Sequence, residues 1–306
     1  MNITVFGGSG FLGSHVADAL SENGHKVLIF DKVKSAYLQD SQVMMVGDVL
    51  DEKVVQKAVE GADVVYNFIA LADIDQAWER PVETARINVL GNMHILEASR
   101  KANVKRFVFA SSIYVYSDAG SFYRSSKQAC ELFIEDYQKT FNLDYTILRY
   151  GSLYGPRANE HNWIFKTLQQ ALTEKKMTRE GDGEEIREYI HVYDAAKLSC
   201  DILKEQYKNR SLIIAGNTQI KIKDLLIMIK EMLKGDVEIQ YVPAKLKEHY
   251  KITPYVFNPK IATKISSTEY LDMGQGLLNI LTEIHKKQMM PSIRKEKYAK
   301  VNSASL

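Results

Sequence analysis

Through its first half the chain alternates short apolar runs with longer segments of helical spacing. Ile3–Phe6, Lys26–Phe30, Val43–Val46, Val64–Ile69, Arg106–Ala110 and Tyr145–Leu148 read as strands. Leu12–Asn23, Val54–Glu60, Glu83–Lys101 and Tyr123–Thr140 read as helices. Runs such as Val64-Val65-Tyr66 and Phe107-Val108-Phe109 lack polar alternation, which suits strands covered on both faces. Strands separated by helices and short loops predict a parallel sheet joined by right-handed crossovers. The expected class is therefore α/β, with a doubly wound parallel sheet.

After Arg149 the rhythm loosens. Helices are expected at Asn162–Leu172, Asp194–Glu205, Lys223–Leu233 and Met273–Lys287. Strands are expected at Glu188–Val192, Leu212–Ala215 and Val237–Val242, with a turn at Glu180–Gly183. This pattern predicts a smaller mixed α/β lobe. Residues 1–149, with about 188–214, would form the sheet domain. Residues 150–187 and 215–290 would form the lobe, and 291–306 a polar, Lys-rich tail.

Composition narrows the class. The 306 residues are 45% hydrophobic and 25% charged, which excludes disordered, collagen-like and disulfide-scaffold chains. The 40 Lys and Arg balance 38 Asp and Glu, so charge gives no support to nucleic-acid or membrane binding. Cys130 and Cys200 lie in apolar, helix-like stretches and read as buried thiols of a reducing compartment. No close Cys/His set suggests a metal site. The N-terminal segment lacks a signal-peptide pattern and no apolar run spans a bilayer, so the expected location is the cytoplasm.

Gly7-Gly8-Ser9-Gly10-Phe11-Leu12-Gly13 joins the first strand to the first helix. Glycines at that spacing permit a tight turn and bring backbone N–H groups and a helix N-terminus close to a pyrophosphate. Asp31 ends the second strand, where a carboxylate accepts from an adenosine ribose and repels a 2′-phosphate. Strand, glycine loop, helix and acid together predict a Rossmann-like fold binding NAD, although Lys32 and Lys34 stand nearby.

The fifth strand runs into Ser111-Ser112, and Tyr123-Arg124-Ser125-Ser126-Lys127 follows. Four residues apart on a helix, Tyr123 and Lys127 share a face. A neighbouring ammonium favours tyrosinate, so Lys127 is expected to lower the Tyr123 phenol toward neutrality, with Ser112 bonding the same oxygen. The same Tyr-x-x-x-Lys spacing recurs at Tyr193/Lys197 and Tyr241/Lys245. The second of these contains Pro243, and the first lacks a strand-ending serine shortly before it.

Taken together, Gly7-x-x-Gly10-x-x-Gly13, Asp31, Ser112 and Tyr123-x-x-x-Lys127 resemble the extended short-chain dehydrogenase/reductase family. They resemble most closely its NAD-dependent sugar-nucleotide epimerase/dehydratase group. The resemblance continues through Asn67–Ala70, Asn88–Gly91, Leu148–Arg157, Gly181–Gly183 and Arg187–Asp194, and covers about residues 2–285. It implies that Gly7, Gly10, Phe11, Leu12 and Gly13 line the pyrophosphate. Asp31 and Lys32 would meet the ribose, and Asp48 and Val49 the adenine. Phe68, Ile69, Ala70, Ala72 and Asn88 would border the cofactor, and Tyr150 and Gly151 would flank the nicotinamide amide. Tyr123 and Lys127 would be the catalytic pair, assisted by Ser112, with Lys127 also on the nicotinamide ribose. Arg187 would bind the substrate diphosphate, with Ser152 and Arg157 beside it. A homodimer through the Glu83–Lys101 and Tyr123–Thr140 helices would use Val89, Met93, Leu96, Leu132 and Ile134.

Three departures from the group matter. Ile113-Tyr114 stands where dehydratases carry Asp-Glu, which speaks against 4,6-dehydration. Ser112 and Tyr123 are 11 residues apart, a short connection expected to open space around the sugar ring. Ser152 replaces a common Asn near the diphosphate. The resemblance implies NAD-dependent oxidation and reduction at a sugar carbinol, with C4 usual, of a nucleotide-activated hexose or heptose. Epimerase, dehydrogenase and ketoreductase outcomes stay open, as do UDP- and GDP-linked substrates and a non-catalytic NAD(P)-binding sensor. In bacteria such enzymes often serve surface polysaccharide synthesis.

Overall fold

The computed structural model describes residues 1–216 and 219–243, all within one unit, Met1–Asn258. The expected helix Met273–Lys287 and the 291–306 tail lie outside the described residues. The Rossmann half comprises β1 (Asn2–Phe6), α1 (Phe11–Glu22), β2 (Lys26–Asp31), β3 (Gln42–Val46), α2 (Glu52–Val59) and β4 (Val64–Asn67). It continues with α3 (Ile74–Glu79), α4 (Pro81–Thr84), α5 (Gly91–Lys101), β5 (Arg106–Ser112), α6 (Ser121–Phe141) and β6 (Tyr145–Tyr150). Beyond it come β7 (Ser152–Tyr154), α7 (Trp163–Glu174), β8 (Lys176–Glu180), β9 (Ile186–His191), α8 (Val192–Asp201) and β10 (Arg210–Ile214). The last described elements are β11 (Gln219–Lys221), α9 (Ile222–Met232) and β12 (Glu238–Val242).

Seven parallel strands form the main sheet in the order β10-β6-β5-β4-β1-β2-β3. This is the doubly wound sheet expected from the alternation of apolar runs. Strand order reverses between β1 and β4, so the crevice at their carboxyl ends is the natural ligand site. Both faces are covered. On one face Val16, Ala17 and Leu20 of α1 and Ala195 and Ala196 of α8 pack on β1, β2 and β4. On the other face α2, α5 and α6 contribute Val55, Ala58, Ile95, Leu96, Cys130 and Ile134. The expected homodimer positions Leu96 and Ile134 are therefore core residues, because their helix faces pack against the sheet.

The long helix expected at Glu83–Lys101 is α4 and α5 joined by a π-helical stretch, Ala85–Leu90. Four short elements carried no sequence signal. The helix α3 is only six residues long, and its start is set by Asp73, whose Oδ1 accepts from Gln76 N at 2.9 Å. Among the strands, β7 and β11 have three residues each, and β8 (KMTRE) is too polar to show alternation. They become strands through pairing: β9 with β7 and β11, and β8 with β12. The apolar residues Ala171, Met177, Ile222, Leu226, Ile229 and Val237 form the core beneath these small sheets.

Two glycines set how closely α1 approaches β1. A Cβ on Gly13 would fall inside contact distance of the Gly7 carbonyl, and one on Gly7 would lie 2.9 Å from Ile69 N. Gly7 also has φ +79°, a conformation that other residues rarely adopt. Substituting Gly13→Ala is expected to lower stability by about 1–3 kcal/mol through overpacking. Thermal unfolding with and without NAD checks this, and an unchanged Tm and NAD affinity would refute the close-approach reading.

Candidate active site

The glycine loop is held from both sides of the sheet. Gly7 N donates to Phe30 O at 2.8 Å, and Phe68 N donates to Phe6 O at 2.8 Å. Asp31 Oδ2 accepts from Ser9 N at 3.0 Å, so the acid braces the loop. At Gly10 the backbone is extended (φ −78°, ψ 177°) and no side chain caps α1, leaving its first-turn N–H groups for an anion. Beside this loop a cavity of about 530 Å³ is lined by Asp31, Lys32, Asp48, Val49, Ile69 and Arg86, among others. Lys32 Nζ lies 3.2 Å from Asp48 Oδ2. The Leu50 backbone N–H, with Lys32 assisting, holds the Asp48 carboxyl below its ordinary range. Part of the cationic charge next to Asp31 is thus already paired. An uncapped helix start, a loop with no room for Cβ atoms and an acid at the strand end fit a dinucleotide.

The wall facing that loop is anchored by amides. Asn67 Nδ2 donates to Asn92 Oδ1 at 2.9 Å, and Asn67 Oδ1 accepts from Ile69 N at 3.0 Å. Asn88 accepts from Leu71 N at 2.7 Å and donates to Leu71 O at 3.2 Å and Ser126 Oγ at 2.9 Å. Buried and engaged by these bonds, Asn88 holds the Phe68–Ala72 segment against α6. It supports the loop that the resemblance places beside the cofactor. Tyr150 is anchored in the core. Its hydroxyl lies 2.6 Å from Ser199 Oγ inside the core, and burial pushes the phenol above its ordinary range. Its neighbour Gly151 is required by packing, since a Cβ there would lie 2.9 Å from Ala215 Cβ.

Ser112 ends β5, and Tyr123 and Lys127 lie on α6. The Tyr123 phenol hydrogen-bonds Ser112, which lowers its pKa, but burial dominates and pushes it up to about 12. The expected depression by Lys127 is therefore absent in the polypeptide. The reason is geometric: Lys127 Nζ donates to Ala110 O at 2.6 Å and lies 4.7 Å from the Phe109 ring centroid and 5.8 Å from that of Tyr123. Burial pushes the Lys127 ammonium down to about 8. A single-turn 3₁₀ segment, Ile113–Tyr116, and left-handed Gly120 (φ +95°) make the 11-residue connection from Ser112. Ile113 is buried in the core, while the Tyr114 ring stands edge-on to Tyr123 with centroids 6.3 Å apart. The space expected from the short connection is therefore partly filled by an aromatic ring.

Behind this turn lies a buried ion pair that motif reading did not single out. Arg149 donates to Glu131 Oε1 at 3.0 Å and Oε2 at 2.6 Å, and also to Tyr116 OH at 2.5 Å. Ser111 Oγ donates to Glu131 Oε1 at 2.5 Å. One carboxylate thus ties β5, β6 and α6 together beside Ser112. An Arg near the end of an apolar strand is no signal by itself; only the sheet register, which pairs Ser111 with Arg149, reveals the contact.

A second cavity of about 490 Å³ opens between the sheet edge and the smaller sheets, lined among others by Ala72, Tyr114, Ser152, Trp163, Arg179 and Arg187. Arg187 is buried there, with Nη1 donating to Ile186 O at 3.0 Å. Arg179, which the sequence reading missed, pairs with Glu185 at 2.6 Å and lies 5.4 Å from the Trp163 ring centroid. His161 Nδ1 lies 3.4 Å from Asp73 Oδ2 at the same cavity. Arg157 is placed elsewhere. Its left-handed backbone (φ 66°) directs the guanidinium to Asp18 at 2.7 Å and over Tyr37 at 4.4 Å, so it braces α1 instead of joining Arg187. Among the described residues no His/Cys/Asp/Glu group could hold a metal ion, and no helix is long and apolar enough to cross a membrane.

A glycine-braced helix start and a Ser-Tyr-Lys set, both at the carboxyl ends of a doubly wound sheet, define a dinucleotide-dependent α/β enzyme class. Residues 3–215 match the NAD dependent epimerase/dehydratase family, and the chain belongs to it. It is 29% identical to a Methanocaldococcus jannaschii protein provisionally assigned as a UDP-glucose 4-epimerase, covering 91% of this chain and 97% of that one. It is 27% identical to a UDP-N-acetyl-alpha-D-glucosaminuronate decarboxylase of Bacillus cytotoxicus, covering 91% and 93%. The solved UDP-glucose 4-epimerase of Thermotoga maritima, with UDP-glucose, superposes with a TM-score of 0.78 at 26% identity, covering 84% of this chain and 90% of that one.

Replacing Glu131 by Gln leaves Arg149 partly uncompensated in a buried setting. The expected cost is about 3–5 kcal/mol of folding stability, read by denaturant unfolding. A loss comparable to a surface substitution would show that the brace carries no weight.

Proposed function

We propose that the protein oxidises and re-reduces C4 of a UDP-activated hexose, as a UDP-sugar 4-epimerase. The observation that carries this is the juxtaposition of Ser112, Tyr123 and Lys127 beside a cavity containing Arg187. UDP is favoured over GDP because the relatives named above act on or bind UDP-sugars. NAD, when bound, supplies the two-electron acceptor and, when oxidised, a positive charge. The glycine loop, with Phe11 and Leu12, would hold its pyrophosphate, and Asp31 its adenosine ribose.

Tyr123 accepts the C4 hydroxyl proton at its phenol oxygen, and Ser112 hydrogen-bonds the same region to stabilise the developing charge. Lys127, buried and held on Ala110 O, supplies a fixed cation on the same helix face. Because burial alone raises the phenol, the positive charge gathered at the site on cofactor binding is what makes tyrosinate accessible. Arg187 holds the diphosphate through a donor fork suited to phosphate oxygens. The family name spans dehydratases too. Here Ile113 is core and Tyr114 carries no carboxyl group, so this turn offers no acid for expelling a hydroxyl.

We further propose a homodimer through α6 and the neighbouring π-helical stretch, where Leu90, Phe122, Leu132 and Phe133 are exposed. Surface polysaccharide precursors in the cytoplasm are the proposed setting. Sedimentation at micromolar concentration is expected to give a dimer, and a monomer there would refute this interface.

The decisive assay incubates the protein with NAD and a panel of UDP-, GDP-, CDP- and dTDP-sugars, following absorbance and sugar NMR together. A new C4 epimer without accumulation of reduced cofactor is expected for a UDP-sugar. Accumulating reduced cofactor would mean net dehydrogenation, and bound NAD with no turnover of any sugar would point to a sensor. Tyr123→Phe is expected to lower turnover by about 10²–10⁴-fold while NAD affinity stays unchanged. Full activity in that variant would overturn the mechanism.

A further inference from the structure

The turn between Ser112 and Tyr123 contains one residue that reaches both the reaction centre and the substrate cavity. Tyr114 N donates to Ser112 Oγ at 3.3 Å, and its ring meets the Tyr123 ring edge-on at 6.3 Å and 80°. The same residue lines the 490 Å³ cavity that holds Arg187. Neither Ser112 nor Tyr123 is on that cavity's lining, so Tyr114 is the surface that joins the two.

Its position is built in. Gly120 has φ +95°, and a Cβ there would lie 2.6 Å from Tyr114 Cδ1, so the ring uses the space that a side chain would fill. Tyr114 O accepts from Ser117 N at 2.9 Å. From α6, Arg124 donates to Ser117 O at 3.2 Å and Gln128 Nε2 to Val115 O at 2.9 Å. The turn is thus clamped at Val115 and Ser117 to the helix that carries Tyr123 and Lys127.

Resting on the reading of this site as a UDP-sugar epimerase, we propose that the Tyr114 ring is the platform for the sugar. One C–H face of the pyranose lies against the ring, and the carbinol carbon is thereby presented to Tyr123. The negative face of an aromatic ring attracts the weakly positive C–H groups of a pyranose. Such a contact makes no directional bond to a hydroxyl, so inversion at the reacting carbon breaks no hydrogen bond to the platform. It also allows the oxidised sugar to turn over between faces, as epimerisation demands. The platform therefore contributes to binding both epimers and discriminates by ring shape, leaving the nucleotide to the arginine side of the cavity.

The test compares Tyr114→Phe, Tyr114→Leu and Tyr114→Ala in the full chain with NAD, using the UDP-sugar that the wild type epimerises. Phe is expected to stay within about twofold of wild type in kcat/KM for both epimers. Leu and Ala are expected to lose about tenfold in kcat/KM, the size of one aromatic contact. Affinity for UDP alone and for NAD should be unchanged in all three. Wild-type rates in Ala or Leu, an equal loss in Phe, or a parallel loss of UDP affinity would each overturn the platform. If Ala does not fold, the Phe and Leu pair decides. If the wild type turns over no nucleotide sugar, the epimerase reading falls and the platform with it. Turnover by the wild type with an insensitive Tyr114 sinks the platform alone.

Discussion

Everything at this site depends on how closely the first helix can approach the first strand. Gly13 of α1 packs on the Gly7 backbone with no room for a side chain, and Gly7 packs in turn on Ile69. That contact fixes the helix start against the sheet and keeps its N–H groups aimed at the crevice where strand order reverses. Any extra atom would move the helix, the Asp31–Ser9 bond and the neighbouring loop together, because the loop after β4 is bonded to β1. A nearly neutral chain can bind polyanionic ligands this way. The favourable field comes from placed backbone dipoles and a few cations, not from net charge.

The catalytic side is built on a different kind of contact. Glu131 gathers Ser111, Arg149 and, through Arg149, Tyr116 into one buried network directly behind the end of β5. Asn88 and Asn67 do the same for the opposite wall. These groups tie the connections after β5 and β4 to the sheet and to α6, the helix that carries Tyr123 and Lys127. Buried polar groups of this kind hold position when their donors and acceptors are matched, as both Glu131 oxygens and the Arg149 guanidinium are.

The sheet was readable because strands buried on both faces carry continuous apolar runs, as Val64-Val65-Tyr66 and Phe107-Val108-Phe109-Ala110 are, and because the helices between them keep a 3.6-residue period. The glycine loop was readable for a stereochemical reason, since few other sequences make that turn. Long-range contacts were not legible where local sequence is ambiguous. The partner of the Tyr150 hydroxyl, Ser199 on α8, lies 49 positions away and left no local signal. By type Arg157 reads as a phosphate ligand, but its left-handed backbone sends it to Asp18. The short β7, β8 and β11 exist only through their partners, so no periodicity announces them.

The amino-acid order by itself determined the α/β class, the parallel sheet, the glycine turn and the helical spacing of Tyr123 and Lys127. Each follows from local stereochemistry or from residue spacing within one or two elements. Only the tertiary structure decided the electrostatic state of Tyr123, the supporting role of Asn88, the Glu131–Arg149 brace and the place of Tyr114 between Tyr123 and the second cavity. Those properties depend on burial and on contacts between distant segments. A phenol four residues from an ammonium is raised, not lowered, when burial outweighs the charge and the ammonium is turned toward a strand carbonyl.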